Sequence, residues 1–505
     1  MPQRPRHKVS PGIIDIQPGY TCRLNALVVK NRLRVKRKHE TMKNLIFLLL
    51  VALIITSCGS GGSKKQAAKS DTPMENLYQV NLITVDPGHF HAALVQKIMY
   101  DQVSPNVHVY APEGPDCKQH LDRIKSYNSR QVDPTSWNEI VYTGPDYFEK
   151  MIYEKGGNVV VLSGNNRKKA EYITKSVNAG LNVLADKPMI IRPEDFPGLQ
   201  VDFTNAAAKG ILLYDIMTER FEVTTILQKL LSQNSEVFGT LKKGSKEDPA
   251  VTKVSVHHFS KIVSGSPLLR PAWFFDVEQQ GEGIVDVTTH LVDLVQWECF
   301  PEQVLSPADI KMEGAKRWPT LISPDEFKGV TGLDSFPDYL QKDVKSGKLN
   351  VFSNGEMIYQ IKGVFAKVSV EWKYQAPPGG GDTHYSIMHG TRCDLIIKQG
   401  AEEKFLPTLY VENIKGVTIS DFTAKLNEVI RTLNYDSLQV EPVGNDALKV
   451  IVPKKYRVSH EEHFAQVTAK FLEYMKEGKM PEWEVPNMIT KYYTTTRALQ
   501  MAKAK

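Results

Sequence analysis

NVVVLSGNN (158–166) and AGLNVLADKP (179–188) carry the reading of the fold. Each runs an uninterrupted apolar stretch into a polar turn. Between them, RKKAEYITKSVN repeats at helical period and stops at Gly180, a natural residue just past a helix end. Continuous apolar strands are the kind that parallel sheets bury on both faces. Working outward, QVNLITV (79–85), NVHVYAP (106–112) and ILLYDIM (211–217) read as further strands. Helical patterns start at Ala92, cover 146–156, and run over 195–209 up to Gly210. Strands alternating with helices predict a Rossmann-like, doubly wound parallel sheet over 79–218.

The remainder, 219–505, changes period. TKVSVHHFS (252–260), GEMIYQIKG (355–363), FAKVSVEWKY (365–374) and RCDLIIKQG (392–400) alternate apolar and polar residues. That pattern predicts an α+β domain on a mainly antiparallel sheet with one open face. PPGGGDTHYSIMHG (377–390) reads as a glycine-rich loop, HEEHFAQVTAKFLEYMKEGK (460–479) as an amphipathic helix, and the last residues as a tail helix.

Charge separates the front of the chain from its body. The net charge is +6, but residues 1–58 hold 11 Lys/Arg against Asp15 and Glu40, leaving 52 basic and 55 acidic residues in 59–505. A near-neutral body gives no footprint for nucleic acid. From Met42 the chain reads MKNLIFLLLVALIITSC, a lysine, a short apolar run and small residues ending at Cys58. The run is too short to span a bilayer stably and has the layout of a secretory signal. Ile55-Thr56-Ser57-Cys58 resembles the bacterial lipobox, which implies lipidation of Cys58 and a periplasm-facing lipoprotein of the cell envelope rather than a surface-exposed one. Residues 1–58 are then upstream extension and signal, and the Gly/Ser/Lys-rich 59–78 a flexible tether. The membrane would be met only through this anchor. Cys117, Cys299 and Cys393 lack metal-ligand spacing, so buried thiols and no metal site are expected.

Two stretches carry chemistry. After the first strand, where a G-x-G-x-x-G dinucleotide fingerprint belongs, stands Asp86-Pro87-Gly88-His89-Phe90-His91, keeping only the middle glycine. Gly88, His89 and His91 are the candidate cofactor loop, and Glu113 the one candidate acid for the ribose hydroxyls. In DVTTHLVD (286–293), Asp286, His290 and Asp293 recur at i, i+4 and i+7, on one helix face. A histidine there reads equally as a satisfied core residue or as a base oriented by a carboxylate.

The pair of motifs resembles the glucose–fructose oxidoreductase/inositol dehydrogenase/MocA (Gfo/Idh/MocA) family. NVVVLSGNN followed by AGLNVLADKP is similar to its strand, T/S-P-N loop and A-G-K-H-V-L-x-E-K-P signature, with Gly164 for Pro and Asp186 for Glu. Asp286, His290 and Asp293 match its Asp-x-Gly-x-His-x-x-Asp stretch, with Thr288 for Gly and Trp273 upstream. The resemblance implies an NAD(P)-dependent oxidoreductase moving a hydride to or from a secondary hydroxyl of a sugar, with NAD favoured and tightly held. Ser163, Asn165 and Lys187 would flank the nicotinamide. Lys187 would stabilise alkoxide, and His290, oriented by Asp286, would take the hydroxyl proton. Asp293, Arg220, Trp273 and His384 are candidate sugar contacts, and a homo-oligomer through the C-terminal sheet is expected. Two alternatives stay open. One is glycoside cleavage by transient C3 oxidation and elimination, which needs a second base such as His384 or Tyr385. The other is a carbohydrate-binding lipoprotein without catalysis.

Overall fold

The computed structural model describes residues 79–504 except 264 and 265, within one compact unit spanning Glu75–Lys505. Cys58, the lipobox and the tether lie outside the described residues. Among the described residues, no helix is long and apolar enough to cross a membrane.

Six parallel strands make the first sheet: β1 (Leu82–Val85), β2 (Asn106–Ala111), β3 (Asn138–Thr143), β4 (Val159–Leu162), β5 (Asn182–Asp186) and β6 (Leu213–Ile216). Their order is β3-β2-β1-β4-β5-β6, so the chain reverses direction across the sheet between β1 and β4. In open α/β sheets that switch point is where ligands bind. β1 and β4 are buried throughout, as their apolar runs require. The helices are α1 (His91–Leu94), α2 (Pro115–Ser129), α3 (Tyr147–Glu154), α4 (Lys169–Asn178) and α5 (Phe196–Lys209). The sequence reading passes over α2 and β3, because neither carries a strong apolar signal. The first buries only Cys117, His120 and Ile124, and the second is a largely exposed edge strand.

After α6 (Val223–Ser232) comes the second sheet, mixed but mainly antiparallel. It comprises β7 (Val251–Ser260), β10 (Ile310–Ile322), β11 (Val344–Lys345), β12 (Lys348–Ile361), β13 (Val364–Gln375), β14 (Thr383–His389), β15 (Asp394–Lys398), β16 (Thr408–Glu412), β17 (Gln439–Val443) and β18 (Ala447–Ile451). A separate two-stranded ribbon joins β8 (Ile262–Val263) to β9 (Ser266–Pro267). β7 pairs in parallel with β13 and antiparallel with β14. Its alternation of buried and half-buried residues leaves one face open, as the period-two pattern predicts. The other face carries α6, α8 (Thr288–Cys299) and the tail helix α12 (Glu484–Lys503). Before α8 lies the short α7 (Val277–Gln280), and α9 (Pro324–Thr331) and α10 (Ile419–Thr432) complete the domain. The expected glycine-rich loop over 377–390 is half strand: His384 and His389 sit on β14.

The last two helices return to the first sheet. Phe464, Val467, Phe471 and Leu472 of α11 (His460–Glu477) belong to the same core as β1, β4 and β5. Met488 and Tyr492 of α12 join that core, while its Ala498, Leu499 and Ala502 join the core under the second sheet. The Ser459 cap and its reciprocal Glu462 start α11, so HEEH is a helix start, as read from sequence.

Candidate active site

The site forms where the β1, β4 and β5 turns meet the start of α8. β5 ends at Asp186, a buried carboxylate that accepts hydrogen bonds from His91 Nδ1 and Ser163 Oγ, each at 2.9 Å. Burial alone would raise its pKa, but His91, His89 and Lys169 outweigh burial and hold it well below the ordinary range. Lys169, also buried, donates to the carbonyls of Asp186 and Pro188 at 2.8 and 3.2 Å, and burial brings its pKa down to about 8. This lattice locks the residues before Lys187.

Lys187 reaches across to Asp286, Nζ to Oδ1 at 2.7 Å, and Gln280 donates to the other carboxylate oxygen at 3.1 Å. The same interface is stitched by Asn165 to Gln279 at 2.7 Å and by Asn166 to the Gln280 carbonyl at 2.7 Å. One turn into α8, His290 is half-buried and its Nδ1 has no partner. Burial, then the charge of Lys187 and the neighbouring His460, drive its pKa well below 6.5. A neutral imidazole with a free nitrogen beside an ammonium is equipped to take a hydroxyl proton. Lys187 and Asp286 are thus paired near His290, but both Asp286 oxygens are taken by Lys187 and Gln280, so the expected orientation of His290 by Asp286 is not what the structure shows.

Other expected site residues land elsewhere. Arg220 and Asp293 grip each other through two bonds of 2.6 and 2.7 Å, and Arg220 also holds Glu484 at 2.7 Å. Lys491 bridges Asp293 at 2.9 Å and Asp215 at 2.8 Å, and all five are buried. Those charges are spent on each other, so the sugar contacts expected of Arg220 and Asp293 give way to a structural lattice. His91 is likewise turned inward, its ring 4.4 Å from that of Phe464. His89 remains a quarter exposed. Trp273 donates to Asp116 at 2.8 Å, and both stand over Gly88, where an added Cβ would lie 3.0 Å from Asp116 Oδ2 and 3.1 Å from the indole. This is packing rather than an open sugar platform. His384 is sunk against the helix side of the sheet, Nε2 unpartnered, its pKa brought down by burial to about 3. Glu113 is exposed just past β2. Cys117 and Cys393 are buried and Cys299 half-buried, all free. The ligating atoms of His89, His91 and Asp186 lie within 4.8 Å of one another, although hydrogen bonds already satisfy the carboxylate.

Sequence reasoning missed Glu219, Arg270 and His460. His460 sits with its ring 5.5 Å from that of His91, brought there by the return of α11. Glu219 is half-buried, and burial pushes its pKa up to about 7. No local pattern marks any of them.

Residues 227–503 match the family model described as "Putative oxidoreductase C terminal domain". The chain belongs to the Gfo/Idh/MocA family of oxidoreductases. A crystal structure of a "putative oxidoreductase" from Parabacteroides merdae is 56% identical to this family member, covers 84% of its chain and 98% of its own, and superposes with a TM-score of 0.82. More remote structures share the fold. An oxidoreductase structure from Thermotoga maritima is 11% identical over 84% of this chain and 98% of its own, at a TM-score of 0.53. Levoglucosan dehydrogenase solved with NADH is 12% identical over 84% and 97%, at 0.54. No curated protein matches.

Proposed function

We propose that this oxidoreductase moves a hydride between a nicotinamide cofactor, NAD rather than NADP, and a secondary hydroxyl or keto group of a sugar. The observation that carries the reading is Lys187 held on Asp286 at 2.7 Å beside the unpartnered, neutral His290. The remote neighbours solved with NADH or NAD support the cofactor class.

The donor set fits the redox end of such a cofactor. Lys187 stands at the switch point beside Ser163 and Asn165, whose side chains are held by Asp186 and Gln279, and the cofactor would supply the hydride chemistry itself. His290 accepts the hydroxyl proton through its free nitrogen, and Lys187 stabilises the developing alkoxide by charge and hydrogen bond. Asp286 holds the lysine in place. The diphosphate end is tighter. The Gly88 and His89 amides already donate to the Asp86 and Ser163 carbonyls, and the cavity over the loop is about 30 Å³. Room for a dinucleotide there would require the Trp273–Asp116 contact to open. Asp86, a carboxylate that would repel phosphate, is turned to Tyr172 at 3.0 Å and its pKa is raised by burial.

The covered loop favours one second reading, a sugar-binding protein without catalysis. Isothermal titration of the purified, nucleotide-stripped protein separates the two. Binding of NAD is expected; no heat with NAD or NADP at millimolar concentration would leave the binding-only reading. A lipid anchor at Cys58 and a second copy paired through the open sheet face complete the proposal.

A further inference from the structure

β7 carries chemistry that hydride transfer does not use. Lys253, Ser255 and His257 alternate onto its helix-covered face, where Lys253 holds Glu298 of α8 at 2.8 and 2.9 Å with both side chains fully buried. That pair fixes the height of α8 above β7. From Glu298 back to His290 the helix advances about 12 Å, at ~1.5 Å per residue. From Lys253 on to His257 the strand advances about 13 Å, at ~3.3 Å per residue. Val287, just before α8, shares an apolar cluster with Phe259, so the start of α8, with His290, lies toward the His257 end of β7.

His257 is held on three sides. Its Nδ1 lies 3.0 Å from Asp382 Oδ2, its Nε2 lies 2.8 Å from Ser255 Oγ, and its ring stacks on Trp372 at 5.0 Å between centroids. Asp382, just before β14, accepts from the His258 amide at 3.1 Å and pairs with Lys261. Burial would raise its pKa, but His257, His258 and Lys261 outweigh burial and keep it ionised. A fixed carboxylate at Nδ1 sets the tautomer, leaving the lone pair on Nε2 with the Ser255 hydroxyl as its resting donor.

The array shares its surroundings with the redox site. After burial and Glu222, Asp382 raises the pKa of Glu219 while Lys187 lowers it, so one carboxyl feels both groups. Arg270 donates to the His258 and Phe259 carbonyls at 2.9 and 2.8 Å and lines the small cavity beside Gly88 and His89. Val287, next to Asp286, packs in one apolar cluster with Phe259 and Trp372. Nearby on β14, opposite Ser255, His384 is half-buried with its Nε2 unpartnered.

We propose that His257, oriented by Asp382, is a second acid–base residue that enolises a keto-sugar bound at the Lys187–His290 site. The inference rests on the sugar-ketone reading above. A carbon-bound hydrogen next to the carbonyl leaves as a proton to His257 Nε2, and the C–H electron pair moves into the carbonyl as an enolate. Return of a proton restores the ketone, so the step is redox-neutral. His257 takes the place of His384 and Tyr385 as the second base: the first is sunk beside Lys253, and the second lies on the open face.

The test is solvent exchange. Methyl 3-oxo-β-glucopyranoside, incubated with the full protein in D₂O, is followed by proton NMR at the carbons flanking the carbonyl. Wild type is expected to speed loss of these signals about 100-fold or more over buffer, and His257→Gln to return it to near the buffer rate. Asp382→Asn keeps the ring but frees its tautomer and should lose at least about tenfold; it decides the matter if His257→Gln does not fold. Wild type no faster than buffer, or either folded variant at the wild-type rate, overturns the proposal. Because the ketone is supplied ready-made, exchange needs no dinucleotide. Exchange without hydride transfer would sink the redox reading alone, and hydride transfer without exchange would sink this one.

Discussion

At the residue scale, His290 is the part of the site most plainly written in the chain. Its spacing from Asp286 and Asp293 is visible in one helical stretch, yet the three carry different work. Asp286 meets Lys187, Asp293 meets Arg220 and Lys491, and His290 alone keeps a free nitrogen. Spacing says which residues share a face, not what opposes that face. Arg220 and Lys491 of α12 stand 73 and 198 residues from Asp293, beyond anything periodicity reports. The depressed pKa of His290 makes a pH prediction. A base works while neutral, so its activity is full above its folded pKa and falls only as pH drops through that value. The profile of kcat/KM should therefore show no acid limb belonging to His290 at or above its ordinary pKa of about 6.5. A limb at about 7 that disappears in His290→Gln would count against this assignment.

At the element scale, the parallel strands were legible because burial on both faces makes them continuous apolar runs. The edge strand β3 and the polar helix α2 were not, since each offers the core little. The β14 strand hid behind the glycines that precede it. One departure from the family motif becomes physical in the structure. A Cβ on Gly164 would sit 2.1 Å from the Asp86 carbonyl and 2.8 Å from the Gly88 amide nitrogen, so the β4 turn presses onto the β1 turn with no room for a side chain. Gly164→Ala is expected to push the two loops apart, costing about 1–3 kcal/mol in urea unfolding, and to weaken nucleotide binding. An alanine variant with unchanged stability and affinity would mean that the loops do not need this contact.

At the scale of the whole molecule, α12 is the connection that sequence reading took for a tail. Its Tyr492 donates to Asp215 at the end of the first sheet at 2.7 Å and accepts from the Met189 amide at 3.2 Å, while Lys491 joins Asp215 to Asp293. The buried lattice ties β6, α8 and α12 together. Burial would raise the pKa of Asp293, but Arg220 and Lys491 outweigh burial and lower it. Its stabilising contribution is thus present above the ordinary carboxylate pKa and is lost as pH falls through the lowered value. Asp293→Asn leaves two buried cations short of a partner and should cost about 3–5 kcal/mol in urea unfolding at neutral pH, far more than a surface exchange. A change within experimental scatter would show that the lattice is not structural. The anchor is tested at the other end of the chain: Cys58→Ala should shift the protein from the detergent to the soluble fraction, and a variant that stays with membranes would exclude lipidation at Cys58 as the tether.

The central claim, that Lys187 and His290 serve hydride transfer to a sugar carbon, is tested most directly by following the label. NADH deuterated at its transferable position is mixed with the protein and a panel of keto-pyranosides, and the products are weighed by mass spectrometry. The account predicts one deuterium on the new carbinol carbon. It also predicts a rate about 100- to 10,000-fold lower in His290→Ala, with nucleotide binding and melting temperature retained. No transfer to any ketone by wild type, or a folded His290→Ala as fast as wild type, would contradict it.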